Sequence, residues 1–312
     1  MSEMNERIKL VVIVGPTAVG KTALSIELAK QIGGEIISGD AIQVYRGMDI
    51  GSAKITSEEM DGVPHHLIDI LEPDEQYSAA QFKEMAVPLI EAIHARGHIP
   101  MIVGGTGLYI QSVLYDYQYQ EEDAQESGRL LQQYEHYSNE SLFAELCDRD
   151  PAASETIHPN NRQRILRALI FNRLHNQSIT TQSKSQTIHA KYDTLLIGLT
   201  MPREVLYDRI NRRVDMMMAQ GLPDEVARLM AAGYSDARSM TAIGYKELMP
   251  YIRNDLSQQE AVEQLKQNSR RFAKRQLTWF RNQMSLDWYD MTAISMADMV
   301  DILTTKLKGE SL

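Results

Sequence analysis

The sequence predicts an α/β protein, a parallel sheet flanked by helices with one inserted all-helical domain. Three observations carry this. Short runs of branched apolar residues alternate with helix-length amphipathic segments, which implies parallel crossovers. The first run ends in a glycine-rich turn that opens a helix. One long interval, by contrast, contains no strand-like run at all.

Five runs read as buried strands: Lys9 to Val14, Glu35 to Ser38, His66 to Ile70, Ile99 to Val103 and Thr194 to Leu199. Between them, Thr22 to Ile32 and Ser78 to Arg96 carry helical patterns, the latter containing Pro88. The strand-free interval opens with the acidic "DYQYQEEDAQESG" and closes with "NQSITTQSKSQ". It is expected to be a helical insertion bounded by mobile segments, so that 1–115 together with 194–312 form the core and 116–193 the insertion. After the fifth strand the chain reads as helical almost to its end, including a long stretch from about Gln258 to Met284.

Composition bounds the function. The 312 residues are 43% hydrophobic, enough to bury a sizeable core. No run approaches the roughly 18 apolar residues of a membrane span, and "MSEMNERIKL" lacks a signal core, so the cytoplasm is the expected compartment. The lone Cys147 excludes an intrachain disulfide and a multi-cysteine zinc site, and reads as a small core residue. A formal charge of −10 argues against a generic nucleic-acid binder; any polyanion must bind to local patches.

"GPTAVGKT" (Gly15, Pro16, Thr17, Ala18, Val19, Gly20, Lys21, Thr22) has the spacing of a phosphate-holding loop. Its glycines allow a tight turn with inward amides, Lys21 supplies a cation and Thr22 a hydroxyl able to hold Mg²⁺. The pattern is shared by nucleotide-binding and ATP-binding proteins, which makes the sheet P-loop NTPase-like. ATP hydrolysis, however, normally requires an apolar strand ending in an acid. The best-placed strand, "IPMIV", ends instead in Gly104, Gly105 and Thr106. That counts against a motor or switch ATPase.

Thr106 reads either as a ligand contact at the strand's C-terminal edge or as a helix N-cap. Asp40, in "SGDAIQVY" at the end of the second strand, reads either as a helix cap or as a carboxylate facing the reacting end of a phosphate ester. In "DRINRRVDMMMAQG", Arg209 and Arg213 lie one helical turn apart with no local carboxylate, whereas Arg212 has Asp208 and Asp215 at pairing distance. Two unpartnered arginines on one face point to an anion site.

Two stretches break the acidic average. "HPNNRQRILRALIFNR" carries Arg162, Gln163, Arg164, Arg167 and Arg173; "SRRFAKRQLTWFRNQ" carries Arg271, Lys274, Arg275 and Arg281 opposite an apolar stripe of Ala273, Leu277, Phe280 and Met284. They read either as solvated faces of amphipathic helices or as surfaces that track RNA phosphates.

Taken together, "GPTAVGKT", "SGDAIQVYRGMDIGSAK", "PHHLIDI", "IPMIVGGTGLY", "IHPNNRQRILRAL", "RVDMMMAQGLPDEV", "AIGYKE" and "AKRQLTWFR" occur in the order found in tRNA dimethylallyltransferases, and the chain resembles that family from the loop to about Arg281. The family attaches an isopentenyl group to N6 of adenosine 37, beside the anticodon. One departure is Ala41, where many relatives have Ser; the chain also lacks the Cys/His zinc module of some eukaryotic relatives and looks like the shorter bacterial form.

The resemblance implies that the loop, Gly15 to Thr22, holds the diphosphate of dimethylallyl diphosphate. It implies Asp40 as proton acceptor or orienter for the adenine amine, Thr106 near the bridging oxygen, and Lys21, Arg213 and Mg²⁺ on Thr22 stabilising the leaving group; Arg209 joins them from helix geometry alone. It further implies tRNA contacts from Asp40, Ala41, Ile42 and Gln43, from the insertion's Arg162, Gln163, Arg164 and Arg167, and from Arg271, Lys274 and Arg275. The expected partners are dimethylallyl diphosphate and the anticodon stem-loop of tRNA, with no membrane and a monomeric enzyme. A phosphate-loop kinase using Asp40 as base, and a non-catalytic RNA-binding module, are the competing readings.

Overall fold

The computed structural model describes residues 7–115, 124–180 and 192–309. The acidic opening of the insertion and the Ser/Thr/Gln-rich stretch at its close, expected to be mobile, fall largely outside these residues. The chain divides into two compact units, Met1–Leu114 with Ala190–Leu312, and Tyr115–His189.

The first unit is built on a six-stranded sheet in the order β3-β2-β4-β1-β5-β6, parallel at every pairing. Its strands are β1 (Lys9–Val14), β2 (Gly34–Ser38), β3 (His65–His66), β4 (Ile99–Gly104), β5 (Asp193–Thr200) and β6 (Asp287–Asp290). The apolar run of β1 and all of β2, its Glu35 and Ser38 included, are buried apart from Lys9, as a sheet covered on both faces requires. Helices α1 (Lys21–Ile32), α2 (Ala79–Ala95) and α3 (Gly107–Leu114) follow β1, β3 and β4. Pro88 is accommodated inside α2, which opens with a capping box from Ser78 and Gln81.

Beyond β5 come α8 (Arg203–Ala219), α9 (Leu222–Ala231), α10 (Met249–Ile252), the 26-residue α11 (Gln258–Gln283) and, after β6, α12 (Met296–Lys308). One continuous core joins Val11, Ile13, Leu24 and Leu28 to Leu199, Leu206, Ile210 and Leu303.

Two expectations about strands fail here. The third strand does not run from His66 to Ile70 but stops at His66. Leu67 and Asp69 adopt left-handed backbone, and the amides of Asp69, Ile70 and Leu71 turn to the carbonyls of Gln43 and Val44 instead of extending the sheet. The chain after β5 is also not purely helical. β6 adds an edge strand from "DWYD", four residues whose two acids hide the apolar signal.

The second unit contains α4 (Ala124–Gln133), α5 (Asn139–Arg149), α6 (Pro151–Ser154) and α7 (Arg162–His175). Tyr134, Leu142, Leu146, Ile165 and Leu169 form a core of its own. Cys147, expected in a core, is exposed on α5.

At the opposite edge of the first unit's sheet from the strand C-termini, Glu35 of β2 is 3% exposed. It accepts hydrogen bonds from Arg96 (2.7 and 3.2 Å), His66 (2.7 Å) and His98 (2.6 Å). Burial would raise its pKa, but these bonds outweigh it and hold the carboxyl down at about 2.

Candidate active site

The register of the sheet brings the chemistry-bearing turns level. Val14 of β1 lies opposite Gly104 of β4, and Val103 of β4 opposite Ser38 of β2. The phosphate loop, the Gly105–Thr106 turn and Asp40 therefore leave the same edge side by side, where parallel sheets bind ligands. Packing there is tight. A Cβ on Gly104 would lie 2.3 Å from the Gly39 carbonyl oxygen, so only glycine lets the two strand ends approach. Neither neighbour of β1 ends in an acid: β4 runs into Gly105 and Thr106, β5 into Met201.

Helix α1 starts at Lys21 behind Gly20, with no side-chain cap and no acid in its first turn. Its free amides and positive end face the cavity, a ready site for an anion. The Lys21 ammonium donates to the carbonyls of Gly15 (3.0 Å) and Pro16 (2.9 Å). Burial lowers its pKa to about 8, with Asp40 opposing that shift and Arg213 adding to it. Arg213, on α8, reaches the loop through the Thr17 hydroxyl at 3.3 Å; burial also lowers its pKa, while Asp40 and Glu59 act against that.

Asp40 caps no helix, because none follows β2 before β3; its carboxylate instead fixes a local turn and borders the cavity. Oδ1 accepts from the amides of Ile42 (2.8 Å) and Gln43 (3.3 Å), fixing the turn. Oδ2 accepts no hydrogen bond among the described residues and the side chain lines the cavity. Thr106 donates its amide to Gly39 (3.3 Å), and its carbonyl receives the amides of Tyr109 and Ile110 at the start of α3. Its side chain lines the same cavity, as do Thr17 and the exposed Thr22, whose hydroxyl has no partner among the described residues.

That cavity measures about 640 Å³. Its lining combines the loop's Thr17, Lys21 and Thr22, together with Asp40, Thr106 and Arg213, with the apolar side chains of Ile36, Ile55, Ile68, Val214, Met217 and Leu265. A ligand with a charged head and a small apolar tail suits such a mixed lining.

Other anticipated residues distribute unevenly. Ala41 and Ile42 line the cavity. Gln43 does too, but its amide is committed internally: the oxygen accepts from Ser38 Oγ (3.2 Å) and the nitrogen donates to the carbonyls of Ala53 (3.2 Å) and Ser52 (3.4 Å). Arg209 is exposed and off the cavity lining, acting on Arg213 only as a nearby like charge. Arg212 pairs with Asp208 at 2.8 Å as expected, whereas Asp215 pairs with Lys266 at 2.7 Å.

Arg271, Lys274 and Arg275 are exposed on α11 and, with Trp279, line a shallow groove; Arg275 and Trp279 also line the main cavity. In the insertion, Gln163, Arg164 and Arg167 are exposed. Arg162 has a different task. Its guanidinium donates to the carbonyls of Tyr134 (2.8 Å), Glu135 (3.0 Å) and Tyr137 (2.6 Å), closing the chain end that follows α4. Arg173 pairs with Glu145 (2.9 Å) and covers the Tyr134 ring.

Sequence reasoning missed Gln276. Its side chain bridges the phosphate loop and the Gly105 turn, accepting from the Thr17 amide at 2.9 Å and donating to the Gly105 carbonyl at 3.0 Å. The signal was present: a glutamine sits within the apolar stripe, three residues after Ala273 and four before Phe280.

Comparison with known proteins identifies the family of the chain. A family model described as IPP transferase matches residues 43–283. The chain is 60% identical over 301 residues to the tRNA dimethylallyltransferase of Macrococcus caseolyticus (strain JCSC5402), covering 96% of each chain. It is 55% identical over 304 residues to that of Staphylococcus carnosus (strain TM300), again covering 96% of each. Among solved structures it resembles the tRNA isopentenylpyrophosphate transferase of Staphylococcus epidermidis, with 49% identity, a TM-score of 0.74 and coverage of 98% of this chain and 100% of that one. A eukaryotic dimethylallyltransferase acting on tRNA superposes with a TM-score of 0.83 at 28% identity, covering 98% of this chain and 81% of the other. The chain belongs to the IPP transferase family, that of the tRNA dimethylallyltransferases.

Proposed function

We infer that this protein transfers the dimethylallyl group of dimethylallyl diphosphate to N6 of adenosine 37 in tRNA, giving N6-isopentenyladenosine and diphosphate. The observation that carries the reading is the cavity lined together by a phosphate-type loop, a carboxylate and apolar side chains, on a sheet whose central strand has no acid-ended neighbour to activate water. Membership of the family supplies the substrates.

In this reading the diphosphate lies on the α1 amides with Lys21 and Arg213, and the five-carbon tail on the apolar side chains. The N6 lone pair forms a bond to C1 as the C1–O bond breaks, the electron pair leaving with diphosphate. Asp40 Oδ2 accepts the proton that N6 releases, or orients the amine for attack. Thr106 donates toward the bridging oxygen. Because charge builds on the leaving group, fixed cations and amides contribute most to lowering the barrier. The adenine must leave its stack to reach the cavity.

Mg²⁺ fits the donor set. Thr22 offers an unpartnered hydroxyl at the cavity wall, and no group of three or more His, Cys, Asp or Glu able to hold a metal occurs among the described residues. An ion here would take its remaining ligands from diphosphate and water, as Mg²⁺ commonly does; when bound it supplies charge neutralisation to the leaving diphosphate. Arg164, Arg167 and Gln163 on the insertion, and Arg271, Lys274 and Arg275 on α11, are the exposed groups for tRNA phosphates, with Ala41 and Ile42 beside the flipped base. Arg162 and Gln43 serve through the local structures they hold. Arg209 acts at most as an outer charge. The enzyme works as a cytoplasmic monomer.

The test is incubation with radiolabelled dimethylallyl diphosphate, Mg²⁺ and unmodified tRNA without ATP, followed by nucleoside analysis. Label in N6-isopentenyladenosine is the expected result. No transfer, with ATP turnover against a small acceptor, would replace this reading by a kinase.

A further inference from the structure

The segment after Asp40 contributes Gly51, Ser52, Ala53 and Ile55 to the cavity, and the turn before Tyr245 contributes Thr241, Ala242 and Ile243. Neither stretch belongs to a strand or an α-helix, so something else must fix their backbones. The fixing group is a buried carboxylate on α9. Glu225 is 5% exposed. Its Oε2 accepts the amides of Asp49 (3.1 Å) and Ile50 (2.8 Å); its Oε1 accepts the amide of Gly51 (3.1 Å) and the hydroxyl of Tyr245 (2.9 Å). No cation pairs with it among the described residues; three successive backbone N–H groups form a nest around the charge.

The two stretches also meet directly. Tyr245 is fully buried and stacked so closely on Gly51 that a Cβ there would lie 2.6 Å from its ring. The turn is tied onward to α11, because Glu247 accepts from the Gly244 amide (2.9 Å) and from Asn268 (2.8 Å).

We propose that Glu225 is a positioning residue for the transfer reaction: with Tyr245 it sets the wall formed by 51–55 and 241–243, and so the seat of the acceptor base, without touching either substrate. This rests on the reading of the cavity given above. The phosphate loop has no part in the network. The defect on breaking it should therefore fall on the tRNA side of the reaction and spare the diphosphate side. Glu225→Gln is the sharpest probe. Its carboxamide keeps one acceptor oxygen but turns an NH₂ toward the Gly51 amide, leaving that donor unpaired beside the cavity wall.

The experiment compares wild type, Glu225→Gln, Tyr245→Phe and the exposed control Asp224→Asn in two assays: equilibrium binding of dimethylallyl diphosphate to the free enzyme, and steady-state transfer to unmodified tRNA. Glu225→Gln is expected to bind the diphosphate within threefold of wild type and to lose at least tenfold in kcat/KM for tRNA; Tyr245→Phe loses two- to fivefold, and Asp224→Asn is unchanged. Wild-type kinetics in Glu225→Gln, or an equal loss in both assays, overturns the proposal. Should Glu225→Gln fold poorly by circular dichroism, Tyr245→Phe carries the same test, and unchanged tRNA kinetics there overturns it. A wild-type enzyme that makes no isopentenyladenosine would instead remove the functional reading beneath it.

Discussion

The side-chain oxygen of Gln276 accepts the backbone N–H of Thr17 at 2.9 Å, across 259 residues of sequence. The same amide donates to Gly105, so one residue of α11 sets the spacing between the loop and the Thr106 turn. Gln276→Leu would leave the half-buried Thr17 N–H and the buried Gly105 carbonyl without partners, the latter at a cost of about 1–3 kcal/mol and the former at less. The expected outcome is a lowered melting temperature together with at least tenfold weaker binding of dimethylallyl diphosphate. Unchanged binding would show that the loop holds its shape without Gln276.

In the proposed reaction Asp40 serves proton transfer and Arg213 the leaving group. Asp40→Asn keeps an oxygen for the Ile42 amide, so the turn should survive, yet it removes the carboxylate proposed to accept the proton. Single-turnover transfer is expected to fall by about 10²–10⁴ with diphosphate affinity little changed. Arg213→Ala should lower the single-turnover rate more than it lowers tRNA affinity; the reverse pattern would reassign Arg213 to RNA binding.

If Lys21 holds the diphosphate as proposed, binding should depend on pH. With its pKa lowered to about 8 by burial, the ammonium is nearly complete about a unit below that pH, half lost at it and nearly gone about a unit above. Affinity for the diphosphate should therefore weaken as pH rises through about 8, while Lys21→Arg binds less well but without this decline. Isothermal titration between pH 6.5 and 9.5 distinguishes the two profiles.

Glu35 links core stability to acid. Its pKa in the folded protein, about 2, lies below the ordinary 4.5. Its contribution is therefore complete above about pH 4.5 and is lost as pH falls toward 2. The shift corresponds to on the order of 3 kcal/mol. Urea unfolding of Glu35→Gln at a series of pH values should lack that portion of the acid sensitivity.

In the insertion, Arg162 and Arg167 should part company. Arg167→Ala is expected to weaken tRNA binding and reduce its salt dependence with the melting temperature unchanged. Arg162→Ala should unfold the end of α4, lowering the temperature at which the insertion melts. Equal effects on tRNA binding at unchanged stability would return Arg162 to the RNA surface.

Legibility in the sequence followed sequence distance. The phosphate loop, Asp40 and the Gly105–Thr106 turn could be read because each is a local spacing at the end of an apolar run, and sheet register then aligns them. Gln276 showed only as a polar residue inside an apolar stripe, and its partners could not be read because they lie 259 and 171 residues away; the backbone amides that Glu225 holds lie about 175 residues away, and its side chain does not advertise them. β6 escaped because two acids in four residues mask a strand whose pairing comes from β5. Arg162 looked like its neighbours Arg164 and Arg167; only the carbonyls after α4, which no pattern of residue types reveals, set it apart.

The chain has two tryptophans, and the fold gives them unequal surroundings. Trp279 lies against Gly107, the residue after Thr106, and borders the cavity; Trp288, on the edge strand β6, packs over Gly198. One indole thus borders the cavity and the other does not. Replacing Trp288 by Phe would leave a single tryptophan, whose emission, excited beyond the absorption of the tyrosines, would time arrival of either proposed substrate without any label.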